Sequence, residues 1–409
     1  MSEAGRENFC GAPLGLVYPA WAAALARRVA AHRPRNLHPL EPARWHMNNP
    51  ANTASAAPPA KRYLPLDAAR GFVMMYLCTD GFGLSKLQGG AGAARVASWF
   101  DHVRWDGFVP WELVMPSFVF MIGAALPFAL ARRERKGEPF SRTLRHALRR
   151  TLILILFGQM LWSLYAGRYR FDPIETLTQL ALSYFGCLLI LQLRFRWQVV
   201  AAAALMALNW GLYAAFPGPQ GAFDPTAAVG IRIDRALFGL DHSYDWQVIN
   251  FLGSTVTVLF GAWTATLLRS GRPQKEKLTI LAGAAAASLL AGLALSPFIP
   301  IIHKCWTASY TFIHTACVLA MILFFVVVFG AERREKYALP FVVVGMNSIF
   351  IYLVSNSLSG GWLDPTLAVF TGKFWFLGMA GPVVQAWAVF LAMWGLCYWL
   401  YRRRIFFKL

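Results

Sequence analysis

The sequence predicts an all-α polytopic membrane protein, a bundle of about ten transmembrane helices with both termini in the cytoplasm. Three observations carry that prediction. Hydrophobic residues make up 57% of the chain against 14% charged, with a mean hydropathy of +0.45, outside the range of soluble domains. The apolar residues gather into runs of ~20, the length a helix needs to cross a ~30 Å hydrocarbon layer. Lys and Arg then fall into alternate loops, as the positive-inside rule requires.

The first run, Leu64 to Leu84, is apolar but carries Asp67, Arg70 and Asp80. The second, Phe108 to Ala131, carries Glu112 near its start. After it comes the densest basic loop, Arg132, Arg133, Arg135, Lys136, Arg142, Arg145, Arg149 and Arg150, which marks the cytoplasmic side. The third and fourth runs, Leu148 to Ala166 and Ile174 to Leu193, enclose Arg168 and Arg170, a number matched by Arg194 and Arg196 beyond the fourth. Trp197 to Phe216 and Trp246 to Leu268 are the fifth and sixth, followed by basic Arg269, Arg272, Lys275 and Lys277. The seventh and eighth, Leu278 to Ile302 and Thr307 to Gly330, precede Arg333, Arg334 and Lys336. The ninth and tenth are Leu339 to Leu358 and Pro382 to Tyr401, and the chain ends on Arg402, Arg403, Arg404 and Lys408.

This alternation accounts for most of the +19 net charge. Nucleic acid is excluded as a partner, because the basic residues flank apolar runs and do not interleave with aromatics on a soluble module. Residues 1–60 read as a separate basic N-terminal extension, low in complexity from Ala51 to Arg62 and unable to bury a core. Residues 61–409 form the membrane domain. Six cysteines show no CxxC or metal spacing, so neither a disulfide framework nor a metal site is expected.

The long loops Pro217 to Asp245 and Ser359 to Gly381 lie on the outer side with FDHVRWDGF, which joins the first two runs. His102 in that segment can exchange a proton near neutral pH; its flanking Trp99 and Trp105 also suit an interfacial aromatic belt. Glu112 lies about one turn into an apolar run, and Pro116 deprives the Glu112 carbonyl of its helical donor. Both groups must face a polar cavity or another helix, and an ionisable residue in a span is a functional candidate by default. Asp67 and Arg70, spaced i,i+3, can pair on one face. Asp80 lies ~15 Å further along the helix axis, near the outer level of His102 and Glu112. Lys304 and Trp306 sit on the outer side before the eighth run, and Asn347 interrupts the ninth. Interhelical hydrogen bonding is the plain role for such an amide.

Six segments, RYLPLDAARGF, HVRWDGFVPWELVMPSFVFMIGAALP, IDRALFGLDHSYD, IPIIHKCWTASYTF, GMNSIFIYLVSN and YRRRIFFKL, occur in an order that resembles heparan-α-glucosaminide N-acetyltransferase and its bacterial relatives. The resemblance covers about residues 61 to 409. It implies a multi-pass acetyltransferase of a bacterial inner membrane, passing acetyl from cytoplasmic acetyl-CoA to an amino sugar or glycan on the far side. On that resemblance His102 is the catalytic histidine, Asp80 lies near a catalytically implicated asparagine, and Glu112 replaces the usual aspartate. Asp67, Arg70, Trp105, Lys304, Trp306 and Asn347 are the candidate substrate or CoA contacts. A homo-oligomer is compatible with this reading. O-acetylation of an envelope polysaccharide and proton-coupled transport through Asp80, Glu112 and His102 are the alternatives.

Overall fold

The computed structural model describes residues 63–87, 90–169, 171–330, 332–372, 378 and 380–407. The N-terminal extension lies outside the described residues, as do Arg170 and Lys408.

Each predicted apolar run coincides with a helix, and no β-strand occurs among the described residues. The chain is an all-helical polytopic membrane protein. Seven described segments are long and apolar enough to cross a bilayer: Pro110–Arg135, Phe140–Tyr165, Phe195–Ala215, Val248–Arg269, Gln274–Leu295, Ala308–Phe329 and Gly381–Arg402. A pair bent by 59°, Lys336–Gly345 and Ser348–Thr371, adds an eighth if it is one span. The remaining two runs form helices of 15 residues, Leu64–Cys78 and Thr176–Ile190, ~22 Å long at 1.5 Å per residue.

In chain order, α1 is Leu64–Cys78, α2 Ala91–Ser98, α3 Val114–Arg135 and α4 Phe140–Tyr165. Next come α5 Thr176–Ile190, α6 Phe195–Ala215, α7 Val229–Phe238 and α8 Phe251–Arg269. The remainder are α9 Gln274–Leu295, α10 Ala308–Phe329, α11 Leu339–Gly345, α12 Ser348–Val354, α13 Asp364–Thr371 and α14 Gly381–Arg402.

Four predicted boundaries are corrected. The third run starts at Leu148, but α4 starts at Phe140, so Arg142, Arg145, Arg149 and Arg150 lie on a helix and not in a loop. The first run reaches Leu84, but α1 stops at Cys78 because Asp80, Gly81, Phe82 and Gly83 all take positive φ, which no right-handed helix continues. The seventh reaches Ile302, but α9 stops at Leu295, where Pro297 and Pro300 remove backbone donors. The ninth is not continuous: it breaks at Met346–Asn347 between α11 and α12 and then widens into a π-helical segment, Ser355–Leu363. The two long loops Pro217 to Asp245 and Ser359 to Gly381 also contain helices, α7 and α13.

Glycines let helix backbones meet. A methyl at Gly123 of α3 would overlap the carbonyl of Val258 in α8, and one at Gly261 of α8 would overlap that of Phe120 in α3. The pair α1 and α11 is built the same way, Gly71 against the Phe341 carbonyl and Gly345 against that of Asp67. Close approach of this kind supplies the van der Waals contact that drives helix association in lipid. The apolar stretch around α8 is 72% buried and that of α9 only 11%, so α8 is central and α9 presents its surface to lipid.

Candidate active site

The site is built from the segment between α2 and α3, the turn before α10, and the loop before α8. Val109 is extended and Pro110 opens a short 3-10 turn, Pro110–Leu113, leading into α3; proline suits a first turn, where its missing donor is not needed. That turn buries Glu112 to 2% exposure. The carbonyl orphaned by Pro116 finds a partner on another helix: the Tyr310 hydroxyl of α10 donates to it at 2.7 Å. The carboxylate accepts from the Val103 N–H at 3.0 Å, and His102 Nδ1 lies 3.3 Å from both of its oxygens.

The neighbours of His102 determine its tautomer. Trp111 Nε1 donates to His102 Nε2 at 3.2 Å. An indole N–H can only donate, so Nε2 carries the lone pair and Nδ1 carries the hydrogen directed at Glu112. With 47% of its side chain exposed, His102 stands at an open surface, backed by a buried carboxylate, with its basic nitrogen facing the Trp111 N–H. A general base before an orienting acid has this arrangement.

His303 completes the cluster from 200 residues further along the chain. It is fully buried. Its ring lies 5.4 Å from that of His102, with 9° between the planes, and the edge of Trp246 packs at 4.9 Å. Nε2 is 3.3 Å from Glu112 Oε2, yet neither ring nitrogen attains hydrogen-bond geometry. Burial, reinforced by the charges of His102 and Lys304, lowers the His303 pKa to about 2, so it stays neutral. His102, Glu112 and His303 each offer a ligand atom, all within 4.8 Å of one another, and this set can hold a metal ion.

The candidate contacts divide by what they touch. Trp306 is buried with a positive φ of 47°, and its Nε1 donates to Thr257 at 3.1 Å; its ring meets Tyr310 edge-on at 5.7 Å. Such a conformation costs a tryptophan about 1–3 kcal/mol, borne by the packing around it. The Lys304 ammonium donates to the carbonyls of Arg104 at 3.2 Å and Tyr244 at 2.7 Å. Trp105 Nε1 donates to the Phe223 carbonyl at 2.9 Å. Lys304 and Trp105 thus stitch the site's loops together. Outside the cluster, His242 lies 3.1 Å from Asp234 and 3.5 Å from Asp172. Burial opposes its charge, but hydrogen bonds to both carboxylates and their charges raise its pKa to about 9.

The structure does not bring the other candidates into the cluster. Asp80 pairs with Lys86 at 3.0 Å and lines a polar cavity of about 270 Å³ with Asn356, Ser359 and Asp364. Arg70 bonds Asp67 at 3.1 Å and reaches the Gly345 carbonyl at 3.5 Å, tying α1 to α11. Asn347 anchors the C-terminal tail, donating to the Ile405 carbonyl at 3.3 Å and accepting from the Phe407 N–H at 3.0 Å. A second cavity, apolar and about 320 Å³, runs between α1, α3 and α10 beneath Pro110, lined by Tyr76, Phe100, Leu113 and Met321. Tyr76 packs 5.6 Å from Trp111, which joins this cavity to the His102 cluster.

Sequence reasoning missed His303, Trp111 and Tyr310. His303 carried the same signal as His102, a histidine beside tryptophan just outside an apolar run, but only its neighbours Lys304 and Trp306 were singled out. Tyr310 was implicit in the demand that something satisfy the Glu112 carbonyl.

No family model matches the chain. It is similar to heparan-alpha-glucosaminide N-acetyltransferase of Homo sapiens, with 24% identity over 380 residues, covering 77% of this chain and 54% of that protein. The chain therefore spans about half the length of this curated relative. The similarity supports a distant relationship to that N-acetyltransferase.

Proposed function

We propose that the protein moves an acetyl group from cytoplasmic acetyl-CoA to the amine of an amino sugar or glycan on the periplasmic side of a bacterial inner membrane. The observation that carries this reading is the His102–Glu112 pair on a half-exposed imidazole, with Trp111 donating to Nε2 and so keeping that nitrogen unprotonated. The basic cluster spanning the end of α3 and the start of α4 supports a cytoplasmic placement of both termini, and hence an outer placement of His102.

The steps follow from that tautomer. The acceptor amine displaces the Trp111 N–H from His102 Nε2 and attacks the thioester carbonyl while Nε2 takes its proton, and Glu112 stabilises the resulting imidazolium. The new N–C bond forms, the C–S bond breaks, and the departing thiolate recovers the proton from His102. The apolar cavity beneath Pro110 suits a pantetheine arm and acetyl group, being lined by Tyr76, Phe100 and Leu113 and adjoining Trp111. Arg132 and Arg135, in the last turn of α3, suit the CoA phosphates at the opposite mouth.

Purified protein in lipid nanodiscs, given acetyl-CoA labelled in the acetyl group, is expected to release CoA and form labelled product only when an amino sugar is added. His102→Ala should abolish both. Release that responds to hydroxyl acceptors alone would redirect the reading to O-acetylation. Turnover unchanged in His102→Ala, or no turnover with either acceptor class, would refute it.

A further inference from the structure

We propose that His102, Glu112 and His303 form a binding site for a divalent transition metal of the Zn2+ type, and that its occupation switches the site off. The set is two imidazoles and a carboxylate, the donor class such ions take with one position left open. Two of the three pair spacings fit directly. Ligands ~2.0–2.1 Å from a tetrahedral ion lie about 3.3 Å from each other, and Glu112 Oε2 lies 3.3 Å from both His102 Nδ1 and His303 Nε2; the two imidazoles, within 4.8 Å of each other, close up on binding. His303 is fully buried, with no hydrogen bond at either ring nitrogen, so a ligand bond there displaces nothing. The half-exposed face of His102 leaves the entry path and the open position.

The switching follows from proton bookkeeping on His102. In the metal-free site Nδ1 carries the hydrogen and Nε2 the lone pair. A metal at Nδ1 requires that nitrogen's lone pair, so the ring hydrogen moves to Nε2 and the Trp111 hydrogen bond is lost. The base has then become a donor. Metal and acyl acceptor compete for one imidazole, although sequence spacing gave no hint of a metal. The inhibitory consequence rests on the acyl-transfer reading above, whereas the binding does not.

The test uses chelator-stripped full-length protein in detergent micelles, titrated with Zn2+ against a chromogenic chelator and, separately, with Co2+ followed by visible absorption. One equivalent per chain is expected, with the strong Co2+ bands of a four-coordinate site. Affinity should fall at least ~10-fold in both His303→Asn and Glu112→Gln; metal-free melting temperatures control for folding. Absence of saturable binding, or unchanged affinity in both folded variants, would overturn the proposal. In the acetyl-transfer assay Zn2+ should inhibit wild type reversibly, with recovery on chelation; undiminished transfer at saturating Zn2+ would overturn the switch. Failure to observe any transfer while the Zn2+ titration succeeds counts against acyl transfer and leaves the metal site standing.

Discussion

Replacing Glu112 by glutamine keeps the shape of the side chain and removes its charge. In the structure the carboxylate accepts from the Val103 N–H at 3.0 Å and faces His102 Nδ1 at 3.3 Å. The amide oxygen can retain the Val103 bond, so the turn Pro110–Leu113 should hold. What disappears is the charge opposite the imidazolium that forms in the proposed proton transfer. Two unit charges at that separation attract by about 5 kcal/mol at an effective dielectric of 20. The net value of a hydrogen bond to a charged group is smaller, about 1.5–3 kcal/mol, because water is the alternative partner. Raising the barrier by about 2–3 kcal/mol lowers kcat/KM roughly 30- to 150-fold. The assay is CoA release with amino sugar present, alongside a melting curve. A cycle with His102→Ala sharpens it: once the base is gone, Glu112→Gln should cost less than about twofold more, since the two act as a unit. A folded Glu112→Gln enzyme within threefold of wild type would refute the view that Glu112 supports His102.

Tyr310→Phe removes the donor that satisfies the Glu112 carbonyl and should destabilise the protein by about 1–3 kcal/mol, read as a lower melting temperature. Gly261→Ala forces a methyl into the Phe120 carbonyl, whereas Gly283→Ala on α9 meets open space; the first should cost about 1–3 kcal/mol and the second should leave the melting temperature unchanged or slightly raised. His242, held between Asp172 and Asp234, has its pKa raised to about 9, above an unfolded value near ~6.5. Its charge therefore contributes fully below ~6.5 and is lost as pH rises through about 9, on the order of 3 kcal/mol at most. Wild type should lose thermal stability between pH 7 and 10 more steeply than His242→Asn, and parallel profiles would contradict this.

What was legible in the sequence is what depends on local pattern. Hydropathy located a helix for every apolar run, because a segment facing lipid must satisfy its own backbone. Pro116 announced an orphaned carbonyl, and the structure supplies the Tyr310 hydroxyl. Where prediction overshot, at Cys78 and Leu295, the chain stays apolar past the point where positive φ or proline ends the helix. Hydropathy measures solubility in lipid and is blind to backbone conformation. Asp80 looked like a neighbour of His102 because axial rise sets its depth; rotation about the axis and the turn at Gly81 carry it to Lys86 and a different cavity.

The carboxylate that looked costly in an apolar run is not in lipid at all. Glu112 is buried at the end of the bundle under protein, where a backbone N–H and two imidazoles surround it, and a hydroxyl from α10 closes the backbone gap behind it. Half of that arrangement is local: His102, Val103 and Trp111 lie within ten residues of Glu112. The other half comes from the turn before α10, whose register against α3 is set by the packing of α3, α8 and α10. A buried polar group without a partner is expensive. The packing therefore ties the proposed catalysis to assembly, because Glu112 is enclosed by the turn carrying His303 and has its backbone carbonyl satisfied by Tyr310 only when α10 has docked. Any substitution that loosens α3 against α8 should lower activity before it lowers the melting temperature, since sub-ångström shifts weaken a 3.3 Å contact long before they unfold a helix.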